Sequence, residues 1–191
     1  LVLGVVSFFN ILYGTLVGIS KFEVKDIEFH HPNLPKAFDG YRIVQLSDIH
    51  IGSWIGNEKP INELVELVNA QKPDLIVFTG DLVNQRSCEL EGFQDILAQL
   101  HAKDGVYSIL GNHDYGSYYH WKNLKEQVNN IDNLVRMQKT MGWKLLNNEY
   151  DILHHEGDSI ALIGVENDGE PPFSQFADLK KATKGTDGMF R

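Results

Sequence analysis

Three short apolar runs in this 191-residue chain each end in residues that can bind a cation. The first ends in Asp48-Ile49-His50, the second in Gly80-Asp81 with Asn84 just beyond, and the third in Gly111-Asn112-His113-Asp114. Residues two apart share one side of an extended segment, so Asp48 and His50 can both reach one ion. Asp81 adds a carboxylate whose two oxygens can bridge two ions, Asn112 a neutral carbonyl oxygen, and His113 an imidazole beside it. Oxygen and imidazole donors without thiolate suit divalent ions such as Mn, Fe, Co, Zn or Ni and do not select among them. Each cluster alone has an ordinary explanation, since an aspartate after a strand often caps a helix and a lone histidine is usually a surface or core residue. Three clusters in register call for a common one.

The elements that would position them alternate. YRIVQLSD, DLIVFTGD and GVYSILGNHD read as strands, and PINELVELVNAQKP, with Ile61, Leu64, Val65 and Val68 at helical spacing, reads as a helix between the first two. ELEGFQDILAQLHAK is expected to be a second helix. This rhythm implies parallel strands with right-handed crossovers, so the three clusters meet at one edge of a sheet, where open α/β folds bind ligands. Beyond the third run, residues 121–142 look helical, and WKLLNN, YDILHH and DSIALIGVEND look like shorter strands with hairpin signals; KKATKGTDGMFR brings no closing element.

Residues 1–20 carry no charge, include three glycines, and as a helix would extend roughly 30 Å, the thickness of the hydrocarbon core of a bilayer. The expectation is a transmembrane helix rather than a helix buried in a larger protein. The chain starts at Leu1 and meets Lys21 without a cleavage site, and the expectation is a shortened chain rather than a secretory signal. Residues 21–31 alternate apolar and polar and are expected to form a half-buried strand, followed by a Pro/Gly-rich turn to residue 40. The remaining residues, 41–191, suffice for one domain.

Composition removes other classes. With 17 Lys+Arg against 26 Asp+Glu, the net charge of −9 argues against binding long nucleic acid. Cys88 is the one cysteine, so neither an intrachain disulfide nor a zinc-thiolate site can form. No Gly-rich loop ending in Lys-Ser/Thr and no Gly-x-Ser-x-Gly elbow is present, which leaves nucleotide-hydrolysing and serine-hydrolase chemistry without support. Nothing calls for an obligate protein partner.

The three clusters resemble the calcineurin-like metallophosphoesterase superfamily, whose pattern D-x-H, G-D-x-x-[ND], G-N-H-[DE] matches Asp48/His50, Gly80/Asp81/Asn84 and Gly111/Asn112/His113/Asp114 in order and spacing. GVENDGEPPF and the apolar lead are also similar to its membrane-associated bacterial branch described as YkuE-like. The resemblance implies a four-layer α/β/β/α sandwich of two mixed sheets, with this chain supplying the first sheet and part of the second. It also implies two divalent metal ions: Asp48 and His50 on the first, Asp81 bridging, Asn112 on the second. A hydroxide between the ions would attack a phosphomonoester or phosphodiester of a lipid, a nucleotide or another small molecule. His113 would face the substrate as acid or charge stabiliser, Asp114 would fix that imidazole, and Asn84 would stand behind the ligands. Localisation at a bacterial cytoplasmic membrane follows, on an unspecified side.

The family completes its site with a further His and a Gly-His-x-His cluster downstream, whereas the only histidines after His120 are His154 and His155, read as surface residues. The chain is therefore expected to stop before its remaining ligands, and the 191-residue piece to bind metal weakly and turn over poorly. A nonhydrolytic metal-binding scaffold of the same fold is the alternative, as is a membrane-tethered module whose acidic edge merely holds cations. Tyr115, Tyr118, Tyr119, Trp121 and Trp54 could wall a substrate pocket or pack a loop; Glu166, Asn167 and Asp168 read as a turn, and Met137 and Met141 as core.

Overall fold

A computed structural model describes residues 2–16, 18–171 and 173–191. The chain divides into two compact units, Leu1–His30 and His31–Arg191.

In the first unit α1 runs Val2–Leu16 and is followed by a 3-10 turn at Gly18–Ser20, so the 20-residue helix expected for the uncharged run is shorter and changes its winding near Gly18. Glycine weakens a helix because it gains backbone freedom on unfolding and brings no side chain to pack. By length and composition alone, Leu3–Ser20 is apolar enough to cross a membrane. The strand expected over 21–31 does not form: the backbone there is irregular, and Val24, Ile27 and Phe29 are exposed. Alternation marks a face, but a strand also needs a neighbour to take its N–H and C=O groups.

The second unit is built on a parallel sheet of β1 (Ile43–Leu46), β2 (Leu75–Phe78), β3 (Val106–Ser108) and β4 (Lys144–Leu145), in that order. Ile43 stands opposite Leu75, Ile76 opposite Val106 and Tyr107 opposite Lys144, so the three apolar runs lie side by side as expected. Helix α2 (Lys59–Ala70) joins β1 to β2 and buries Ile61, Leu64, Val65 and Val68, the stripe its spacing defines. The next crossover differs from expectation. In place of one helix over 89–103 there is a 3-10 turn at Ser87–Leu90 and a single α-turn, α3 (Gln94–Leu97), separated by Gly92 at φ 86°. That left-handed glycine ends the first turn, and the buried side chains Leu90, Phe93, Leu97 and Leu100 hold the segment by packing instead.

Helix α4 (Leu124–Thr140) spans the third crossover and is trimmed by its caps. Asn123 Oδ1 accepts the Glu126 N–H at 3.0 Å, and Gly142 turns the chain out at φ 84°. Met137 and Met141 are buried, as core residues at that spacing should be, and the Ser108 hydroxyl donates to Gln138 Oε1 at 2.6 Å, tying α4 to β3. The second sheet is an antiparallel hairpin of β5 (Glu149–His155) and β6 (Asp158–Gly164), closed by Glu156 and Gly157, both left-handed as a two-residue hairpin turn requires. The C-terminal stretch does contribute a pairing: beyond the short helix α5 (Leu179–Ala182), Phe190 bridges Ile160 of β6. Phe38, Leu75, Tyr107, Leu146 and Leu153 form a buried cluster joining the parallel sheet to the hairpin. A mixed α/β fold with one parallel and one small antiparallel sheet results, each sheet of a single kind among the described residues.

At the edge where the strands begin, Asp74 accepts the Arg42 N–H at 2.8 Å and the Lys103 ammonium at 2.5 Å. Burial pushes the Asp74 carboxyl up, but the Lys103 ammonium and the Arg42 N–H outweigh it and leave the group below its ordinary value of 3.8. A depressed carboxyl stabilises the fold above its unfolded value and loses that contribution as pH falls through the folded one. Asp74→Asn is therefore expected to lower stability at neutral pH, with the gap to wild type closing below about pH 3.8; urea unfolding across pH 3 to 7 reads it. A gap that stays constant to pH 3 would mean that the carboxylate charge contributes nothing.

Candidate metal centre

The ends of β1, β2 and β3 release three loops on one edge of the sheet, and the loops are stitched to one another through their backbones. Asp48 N–H donates to Gly80 O at 3.0 Å, His50 N–H to Asp81 O at 3.1 Å, and Ile51 N–H to Leu82 O at 2.8 Å, so the first loop follows the second residue by residue. The third closes onto the second where Gly80, at φ 99°, meets Gly111: a Cβ on Gly80 would stand 2.6 Å from Gly111 Cα. A Cβ on Gly111 would stand 2.5 Å from the Asp81 nitrogen. Both glycines are required by this approach, and Gly80 also by its left-handed turn.

Asp48, His50 and Asp81 are left-handed, at φ 55°, 46° and 59°. The expectation that Asp48 and His50 face one way along an extended segment is therefore corrected. Their side chains converge because left-handed positions on either side of Ile49 fold the loop, a conformation that few side-chain-bearing residues adopt and that Asp and His tolerate better than most. His50 Nε2 stands 3.8 Å from Asp48 Oδ1 and 3.8 Å from Asp81 Oδ2. One ligand atom each from His50, Asp81 and His113 lies within 4.8 Å of the others. The His50 and His113 rings meet edge to face, centroids 4.7 Å apart.

These separations suit a cation better than hydrogen bonds. At 3.8 Å a hydrogen bond is not made, whereas two ligand atoms each about 2.1 Å from one ion stand roughly 3 to 4 Å apart. The donor set is carboxylate and imidazole, with Asp48 more open to solvent than Asp81. The residues present fit a borderline divalent ion.

His113 is held twice. Its N–H donates to Asp81 Oδ1 at 2.9 Å, and its ring Nδ1 lies 2.7 Å from Asn84 O. A carbonyl only accepts, so Nδ1 carries the proton and Nε2 is left for a ligand or substrate. Tyr118 covers the ring, centroids 4.6 Å apart, and its hydroxyl accepts the Asn112 amide at 2.8 Å.

Asp114 does not fix that imidazole, and the expectation is corrected. Its carboxylate is fully buried and accepts four backbone N–H groups: those of Asp81 and Gly111 at Oδ2, at 2.9 and 3.0 Å, and those of Leu82 and Val83 at Oδ1, at 2.9 and 3.1 Å. It is the clamp between the second and third loops. Burial pushes its carboxyl up to about 7, but with all four neighbours donating, a carboxyl proton would find no acceptor, so the clamp works as a carboxylate. The imidazole is fixed instead by the main-chain carbonyl of Asn84, whose side chain donates to Ser53 Oγ at 3.0 Å.

Glu89 is a positioning residue that the sequence reading passed over. Largely buried, it accepts the N–H groups of Asn84 at 2.6 Å and Arg86 at 3.1 Å, which sets the carbonyl that holds His113. Its signal was its place three residues into the turn that starts at Arg86, where an acid takes N-terminal N–H groups. Removing it, as Glu89→Ala, is expected to lower metal affinity roughly tenfold without touching a ligand, measured by Mn2+ titration.

Of the aromatic candidates, Trp54 is buried with Nε1–H on Ile49 O at 3.0 Å, and Tyr115 is buried against Phe176 with its hydroxyl on Glu166 at 3.1 Å. Both pack loops. Glu166 also takes the Asn148 amide at 2.6 Å, in keeping with its structural reading. His154 is exposed, and His155 packs on Phe38 and Tyr41.

Comparison with known proteins agrees with this architecture. The family model for calcineurin-like phosphoesterases matches residues 41–184, and the chain belongs to that family. A zebrafish (Danio rerio) transmembrane protein with metallophosphoesterase domain is 36% identical over 104 residues, which is 54% of this chain and 24% of that protein. The metallophosphoesterase YkuE of Bacillus subtilis is 38% identical over 87 residues, 44% of this chain and 30% of its own length. The UDP-2,3-diacylglucosamine pyrophosphatase LpxG of Chlamydia trachomatis is 36% identical over 103 residues, 52% of this chain and 31% of its own. The chain thus spans about a quarter to a third of the length of these relatives.

Proposed function

We propose that this chain carries the first three metal-binding loops of a dinuclear phosphoesterase acting on phosphomonoesters, phosphodiesters or pyrophosphates. The observation that carries the reading is the convergence of His50, Asp81 and His113 within 4.8 Å at the carboxyl edge of a parallel sheet. Asp48 and His50 would hold one divalent ion, Asp81 would be shared with a second, and Asn112 would hold that second ion. The ions, when bound, lower the pKa of the attacking water and offset charge on the phosphate oxygens.

The protein's own residues do the rest. With Nδ1–H committed to Asn84 O, His113 turns Nε2 to the substrate, and a proton there passes to the leaving alkoxide. Asp114 and the glycine pair keep the second and third loops at a fixed spacing, so the ligands need not reorganise when charge develops. Residues 1–20 anchor the enzyme at a membrane, residues 21–40 connect, and residues 41–191 belong to the catalytic domain. The apolar helix and the zebrafish relative described as transmembrane support the anchor. A membrane address and the chlamydial relative named for a diacylglucosamine pyrophosphate favour a lipid phosphate over a free nucleotide.

His113→Gln in the full-length protein tests the role split. The variant is expected to keep its metal while kcat falls by about 10²- to 10⁴-fold on an aryl phosphate ester. Loss of metal along with turnover makes His113 a ligand instead, and a wild type that binds metal yet hydrolyses no ester is a scaffold.

A further inference from the structure

Asn112 poses a problem of orientation. An amide offers a metal one useful atom, its oxygen, and the two ends of the group have nearly the same shape. A free asparagine therefore presents the wrong end part of the time and must be ordered when the ion arrives. In this structure the Asn112 amide nitrogen is 2.8 Å from the Tyr118 hydroxyl, an oxygen able to accept its hydrogen. The same tyrosine lies over the His113 ring, centroids 4.6 Å apart with the planes inclined at 39°. Tyr118 is 45% exposed, so it is not a core residue that merely happens to be close. Two adjacent groups of the third loop thus lean on one side chain six and five residues downstream.

We propose that Tyr118 is a positioning residue for the second metal: its hydroxyl takes the Asn112 Nδ2 hydrogen and so commits the amide oxygen to the ion, while its ring limits the tilt of the His113 imidazole. The inference rests on the dinuclear reading above. It assigns to Tyr118 a function beyond walling a pocket, and it separates the two ions. The first ion would depend on Asp48, His50 and Asp81, whereas the hydrogen bond and ring contact of Tyr118 fall on Asn112 and His113, so only the second would depend on a held amide.

Tyr118→Phe in the full-length protein, stripped with chelator and titrated with Mn2+ by calorimetry, is the test, with electron paramagnetic resonance reading the coupled ion pair. Wild type is expected to take two ions. The variant should bind the first unchanged and the second about ten- to a hundredfold more weakly, with its thermal midpoint unaltered and kcat restored at saturating Mn2+. In an Asn112→Asp background, where both ends are oxygen, the same substitution should shift second-ion binding by no more than about twofold. Unchanged affinity for both ions overturns the proposal. So does an equal weakening of both with a fall in thermal midpoint, which is what general loosening of the loop would produce. A wild type that takes one ion or none overturns the dinuclear reading itself, and the inference with it.

Discussion

Asp81→Asn is expected to lose bound metal and to lower ester hydrolysis by at least about a thousandfold, roughly 4 kcal/mol of transition-state stabilisation. Three roles meet on this residue, two of them on its carboxylate. Oδ2 faces His50 at 3.8 Å, Oδ1 accepts the His113 N–H at 2.9 Å, and the residue's own N–H is held by Asp114. The asparagine is nearly isosteric and can still accept from His113 through its oxygen, so the fold survives. What disappears is the second anionic oxygen that faces His50. Metal analysis of the purified variant beside wild type reads the effect, with circular dichroism showing that both are folded. Full metal content in Asp81→Asn would remove this residue from the site.

The second large effect falls on stability. Asp114→Ala leaves the N–H groups of Asp81, Leu82, Val83 and Gly111 without their acceptor in a fully buried position. Each unsatisfied buried donor costs about 1 to 3 kcal/mol, and allowing for partial rescue by entering water the total should reach roughly 3 to 5 kcal/mol. Asp114→Asn distinguishes the carboxylate from its shape. The amide can serve two of the donors but turns its own NH2 toward the other two, so the variant should also be less stable than wild type, by about 2 kcal/mol. The burial that pushes this carboxyl up to about 7 works the other way, since it disfavours the charged form. If Asp114→Asn is as stable as wild type in urea at pH 8, desolvation outweighs the four hydrogen bonds, and the residue is a strained acid rather than a clamp.

Much of the arrangement can be read along the chain because it follows from short-range signals. The apolar runs of β1, β2 and β3, each ending in a polar cluster, require only the period of a strand and the rule that crossovers are right-handed. The helix over 121–142 is legible as a helix, though its ends at Asn123 and Gly142 cut it to Leu124–Thr140. What escapes the sequence has physical reasons. Whether Asp114 faces an imidazole or a set of N–H groups depends on which loop approaches it, and that approach is made by Gly80 and Gly111 in contact across two strands. The group that fixes His113 is a backbone carbonyl, which every residue possesses and no sequence marks. Left-handed backbone at Asp48 and His50 is imposed by hydrogen bonds to the second loop, not by the residues' own preference. The alternation over 21–31 carries a strand's pattern, yet no strand forms there among the described residues, and the helix expected over 89–103 broke at a glycine whose turn outweighed the apolar spacing on either side.

The loop ends after β1, β2 and β3 are proposed to form a metal centre that hydrolyses phosphate esters. The most direct measurement strips the full-length protein with chelator and follows release of product from aryl phosphate mono- and diesters as Mn2+ is returned. No turnover is expected in the stripped protein, with recovery on adding Mn2+ that saturates near two ions per chain, and no recovery in Asp81→Asn. Equal turnover before and after stripping, or recovery in Asp81→Asn to the wild-type level, would contradict it.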